Sequence, residues 1–207
     1  MITKTNYPVL FSITTILILV GSFMLTRDRG TWVLEVFPIL IGFPILFFTY
    51  KRFPLTNLLY ILIVLHFIIL AVGGIYTYAE VPLGFWMQDW FHFSRNHYDR
   101  IGHFAQGFIP AILVREVIIR TTPLRPGRML FFIVVCVCLA VSACYEFIEW
   151  WTVLAKGSSA EAFLGTQGDA WDAHWDMFFA MIGAITAQIT LSKIHNKFLI
   201  PLLRDES

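Results

Sequence analysis

The stretch LTNLLYILIVLHFIILAVGGIYTY, Leu55–Tyr78, contains no Lys, Arg, Asp or Glu and only one ionisable side chain of note, His66. A bilayer core about 30 Å thick is crossed by about 20 apolar residues in a helix, so this stretch reads as a membrane span. Five further stretches of similar character flank it. They are Pro8–Leu25, Trp32–Tyr50, Ile101–Ile119, Met129–Val153 and Trp171–Leu191. The expected fold is therefore all-α, a polytopic integral membrane protein built as a bundle of about six transmembrane helices, with residues 1–207 forming one transmembrane domain. The first stretch is too long for a signal-peptide core, and no small-x-small cleavage pattern follows it, so it is read as a span.

Composition agrees. The chain is 57% hydrophobic and 14% charged, with a mean hydropathy of +0.70. Soluble domains carry about a quarter charged residues. A net charge of +1 gives no general field to attract nucleic acid. Cys136, Cys138 and Cys144 share one apolar run and are expected to be small buried side chains, without a disulfide or zinc role.

The placement of the basic residues sets the orientation. One side collects Lys4, Lys51, Arg52, Arg115, Arg120, Arg125, Arg128, Lys193, Lys197 and Arg204, while the other has Arg27, Arg29, Arg95, Arg100 and Lys156. Both termini are predicted to be cytoplasmic, in a bacterial inner membrane. The long loops 79–100 and 154–171 then face outward. In the first of them Phe85, Trp86, Trp90 and Phe93 recur at helical spacing, as an interfacial helix or a lid would require. In the second, Gly165 and Gly168 allow tight turns, and Thr166 and Gln167 offer donors to an anion.

The outward ends of the last three spans carry acids in pairs. Asp99 and His103 are four residues apart, Glu146 and Glu149 three, and Asp172 and Asp176 four, with Asp169 just before them. Each pair lies on one helix face. A rise of about 1.5 Å per residue sorts them by depth. Asp99, Glu149 and Asp172 form an outer layer, with His103, Glu146 and Asp176 about one turn deeper. Asp99 and Asp172 also suit helix N-caps. Acids this crowded in a membrane must be protonated, paired with Arg or bound to a cation, and Arg95 and Arg100 are too few for six.

Three functions follow as expectations. The first is an outer-leaflet enzyme acting on a lipid or lipid-linked headgroup with a divalent metal cation. Its catalytic groups would be Glu146, Asp176 and His103, and its metal ligands would come from Asp99, His103, Glu146, Glu149, Asp172 and Asp176. The second is a proton-coupled transporter, which needs polar residues through the inner half. There the last three spans offer Ser142 and Gln188 and, on this reading, no buried acid. The third is a non-catalytic module that binds lipid or a protein partner. His66 is read as interhelical glue. Membrane lipids are the expected partners, and nucleic acid is not.

The segments YDRIGHFAQGF (98–108), YEFIEWW (145–151) and FLGTQGDAWDAHWDM (163–177) resemble the YjdF-type family of small bacterial inner-membrane proteins. More distantly, Asp99, His103, Phe104, Glu146, Glu149 and Asp176 are similar to a VanZ-like pattern, a group associated with glycopeptide-antibiotic tolerance. Glu149 stands where that pattern usually has Gln, and Ala180 where it has Asn before the glycine, here Gly183. The resemblance implies the fold and the membrane, and carries no biochemical activity.

Overall fold

The computed structural model describes residues 7–157, 163 and 165–206. Lys4, Glu161 and the stretch 158–162 of the outer loop lie outside the described residues. The described residues form helices α1 (Tyr7–Leu25), α2 (Arg29–Glu35), α3 (Phe37–Thr49), α4 (Asn57–Tyr76), α5 (Pro82–Phe91), α6 (Tyr98–Thr121), α7 (Arg128–Lys156) and α8 (Asp172–Glu206). A single 3-10 turn, Tyr78–Glu80, precedes α5. Among the described residues, five helices are long and apolar enough to cross a membrane, and a sixth span results if α2 and α3 are counted together. The chain is an all-α polytopic membrane protein. Large apolar side chains such as Leu17, Phe48, Phe132 and Ile189 are exposed on its outer surface, where lipid replaces water as solvent.

The second span is broken. α2 and α3 meet at 53° around Val36, whose backbone leaves the helical region. Pro38 is the cause, because it has no N–H to donate to the carbonyl of Leu34 and its ring crowds that turn. The Tyr145 hydroxyl from α7 donates to that carbonyl at 3.4 Å. The break leaves Glu35 at the end of α2, 3% exposed. At the other end of α2, the Asp28 carboxylate accepts from the N–H groups of Gly30 and Thr31, a regular N-cap.

α6 and α8 run parallel, because α7 returns the chain between them. Their close contact depends on two glycines. A Cβ on Gly107 would collide with the carbonyl oxygen of Ala180, and one on Gly183 with that of Phe104. Small residues let membrane helices approach backbone to backbone, which yields dispersion contacts where no hydrophobic force acts. α8 runs on to Glu206, well beyond the expected end near Leu191, and carries polar residues out of the apolar layer. Of the three cysteines only Cys138 is buried; Cys136 and Cys144 are exposed, contrary to expectation, because they lie on other faces of the outward-facing α7.

Candidate functional site

The three acidic helix ends converge. His103 on α6 is at the centre, 5% exposed. Its Nε2 lies 3.5 Å from Asp99 Oδ1 and 3.9 Å from Asp176 Oδ1, and its Nδ1 lies 3.9 Å from Glu146 Oε1. One potential ligand atom from each of Asp99, His103 and Asp176 falls within 4.8 Å of the others, the spacing a single metal ion requires. His103 Nδ1 and Glu146 Oε1 are buried and have no hydrogen-bond partner. A buried polar atom left unpaired costs about 1–3 kcal/mol, which sets this pair apart from the arginine-paired acids.

These acids divide by partner. Asp169, Asp172 and Asp176 sit beside arginines: Arg95 Nη2 donates to Asp172 Oδ1 at 2.6 Å, and Arg100 reaches Asp172 at 2.9 Å, Asp176 at 2.5 Å and Asp169 at 3.2 Å. Both arginines are nearly buried, and hydrogen bonds to the backbone of Thr166 and Asp172 hold them in place. The two arginines thus serve three acids. Asp99, Glu146 and Glu149 receive neither. Neither Asp99 nor Asp172 caps its helix, since Asp99 follows Tyr98 within the first turn of α6 and Asp172 is itself the first residue of α8. There they still favour the positive end of the helix dipole.

The Gln167 amide is engaged within the protein. Gln167 exchanges hydrogen bonds with the Asn96 backbone, accepting from its N–H at 3.0 Å and donating to its carbonyl at 2.8 Å. This clamp sets the 165–169 loop over the head of α6. Gly165 has φ +63° and lies against Asp99, a conformation and a clearance that favour glycine. α5 lies beside this roof with Trp86 and Trp90 exposed, as an interfacial helix would have them.

Below the cluster is a cavity of about 520 Å³, walled by α3, α4, α6 and α7. Its upper end is lined by Glu35, Asp99, His103 and Glu149, with the rings of Tyr78, Tyr145 and Phe163. Its lower walls are apolar and include Phe37, Ile41, Leu70, Val137 and Val141. Glu35 was absent from the sequence-derived site, although an acid inside an apolar stretch is itself a signal. Its Oε1 is buried without a partner. His66 also lines this cavity, and its Nε2 has no hydrogen-bond partner, so it does not serve as interhelical glue through that atom.

A second polar cluster was missed outright. Glu116 on α6, in the inner half where no buried acid was expected, is 0% exposed. It accepts from Thr56 N–H at 3.1 Å, Thr56 Oγ1 at 2.8 Å, Arg120 Nη1 at 3.0 Å and His195 Nε2 at 2.9 Å. Arg115 approaches His195 Nδ1 at 2.6 Å and donates to Asn196 Oδ1 at 2.7 Å. An arginine can only donate, so this contact casts His195 Nδ1 as acceptor and turns Nε2 towards Glu116.

Comparison with known proteins agrees with this architecture. Residues 7–197 match the family described as "Predicted membrane protein (DUF2238)". The chain belongs to that family. This DUF2238 chain is also 50% identical over 196 residues to the protein called "Inner membrane protein YjdF" of Escherichia coli (strain K12), covering 93% of this chain and 94% of that one. No solved structure matches it. With its apolar helices and this inner-membrane relative, it is a multi-pass inner-membrane protein.

Proposed function

We propose that this DUF2238 protein binds a divalent cation at the outer face of the membrane and acts there on a lipid or lipid-linked headgroup. The observation that carries the reading is the His103 centre. Its Nε2 faces Asp99 and Asp176, while its Nδ1 faces Glu146 and is otherwise unpartnered. Metal-bound histidines almost always donate their second N–H to a carboxylate, a backbone carbonyl or a water, which fixes the tautomer and raises the basicity of the ligating nitrogen. Asp99, His103 and Asp176 are thus the first choice of ligands, with Glu146 orienting the imidazole and Arg100 holding Asp176. One imidazole with carboxylates suits a first-row ion such as Zn²⁺ or Mn²⁺. The cation would polarise a phosphoryl or carbonyl oxygen, and Glu146 or Glu149 would move the proton. Asp172, held by two arginines, is a positioning residue in this reading.

Purified protein is expected to retain one equivalent of metal. His103→Ala should abolish retention and Asp176→Asn should weaken it. Metal content unchanged in both variants overturns the reading. The orientation is a separate part of the proposal: alkaline phosphatase fused to the C-terminus should be inactive, and an active fusion would reverse the assignment of both termini to the cytoplasm.

Proton-coupled transport is the second reading, and the buried Glu116 and the unpartnered Nε2 of His66 favour it. Glu116 lies 17 residues below Asp99 on α6 (116 − 99 = 17), about 25 Å along the helix. Its four donors leave it little freedom to relay a proton. Proton movement in proteoliposomes that is lost in Glu116→Gln would favour transport over the enzyme.

A further inference from the structure

The cavity has two properties that together define an occupant. The first is its opening. The α3 and α7 residues that wall it, Phe37, Ile41 and Val141, are left uncovered by protein, 38%, 47% and 47% exposed. In a membrane protein such a surface meets lipid, so the space opens sideways into the bilayer between α3 and α7. Along α6 it extends from Asp99 to Pro110, eleven residues (110 − 99 = 11) or about 16 Å, close to half the thickness of the hydrocarbon core. Its length therefore matches one leaflet.

The second property is its charge. No Lys or Arg is among the residues lining the cavity, whereas Glu35, Asp99 and Glu149 are. Arg95 and Arg100 are engaged with the α8 acids. If a cation takes Asp99, His103 and Asp176, Glu35 and Glu149 are left facing the same space with no positive partner. Glu35 is nearly buried, with one oxygen aimed at no donor. Two carboxylates in a low-dielectric wall attract a cation that can also donate hydrogen bonds.

We infer that the cavity seats one zwitterionic phospholipid bearing a primary amine, drawn in sideways between α3 and α7. Its ammonium lies against Glu35 and Glu149, and one acyl chain lies along the apolar walls. Its phosphate faces the metal centre; that placement, and the engagement of His103 away from Glu35 and Glu149, rest on the proposed function. A quaternary ammonium has no N–H and would leave Glu35 Oε1 without a donor. A glycerol headgroup brings no positive charge at all. Selection is therefore for the amine, not for phospholipid in general.

The test uses the full chain, purified in detergent and equilibrated with equal amounts of ethanolamine-, choline- and glycerol-headed phospholipids of identical chains. The lipid retained is counted by native mass spectrometry. Ethanolamine lipid should be enriched about tenfold over the other two, the discrimination expected from one charged hydrogen bond. Glu35→Gln and Glu149→Gln should each remove most of that preference. Both substitutions delete a charge from a like-charged group, so folding is not at risk from them. Val141→Trp, on the lipid-facing wall, should reduce retention of all three lipids by filling the opening. Equal retention of the three headgroups, or a preference unchanged in both glutamate variants, overturns the inference. Repeating the count after chelation and in His103→Ala separates it from the metal reading. A preference that survives both keeps the amine seat and removes the metal, whereas bound metal without headgroup preference does the reverse.

Discussion

The two polar clusters on α6 are built from similar residues and differ in completeness. Towards the C-terminal end of α6, Glu116 is fully buried and accepts four hydrogen bonds, from Thr56, Arg120 and His195. Towards its N-terminal end His103 is also buried, yet its Nδ1 and the facing Glu146 Oε1 have no partner, and Asp99 and Glu149 receive no arginine. A satisfied network ties helices together. The unpaired His103 and Glu146 atoms do not do so, and are retained at a cost. Composition alone would rank the two equally.

Glu116→Ala should have the largest effect on stability. It strands the Arg120 and His195 donors in a buried site and should cost about 3–5 kcal/mol in reversible unfolding from detergent micelles. If it costs under about 1 kcal/mol, the inner cluster is not the structural tie described here. Gly183→Ala comes next. Overpacking the α6–α8 contact should cost about 1–3 kcal/mol and should also weaken metal retention, since the same contact aligns Arg100 with Asp176. Loss of stability with metal retention intact would uncouple the outer cluster from that helix contact.

The outer cluster should respond in the opposite way. Glu146→Gln should leave unfolding within about 1 kcal/mol of the parent, because it removes a charge from a group of acids. Metal affinity should fall about 10–100-fold, the usual loss for a carboxylate that orients a ligating histidine. Stability lost without any change in metal would erase the difference between the two ends. Trp86→Ala, on the exposed face of α5, should have the smallest effect, within about 0.5 kcal/mol. A larger loss there would mean that α5 takes part in closing the site.

Most of the helices were legible because a membrane span is a local property. An 18-residue apolar window such as that of α4 must be helical wherever it sits, since lipid offers its backbone no partner. The acid pairs were legible for a related reason, as positions three or four apart share a helix face. Pro38 gave a visible cue to the break in the second span, but Glu35 was passed over because its importance depends on α7. Only when Tyr145 takes the Leu34 carbonyl is the break seen to join the cavity wall. Glu116 was missed because two arginines flank it within six residues and it resembled an ordinary basic helix end.

Chain order and hydropathy were sufficient to bring Asp99, Glu149 and Asp172 to one side of the membrane. The expected relative depth of His103, Glu146 and Asp176 follows from helical rise alone. Which acids receive an arginine could not be read that way. Arg95 and Arg100 are close in the sequence to Asp99 and bind Asp169, Asp172 and Asp176 instead, about 70 residues further on. That choice depends on Gly107 and Gly183, which bring two backbones within reach, and on the loop clamp of Gln167. Ion pairs are decided by ångströms between helices, and those distances come from packing, not from spacing along the chain.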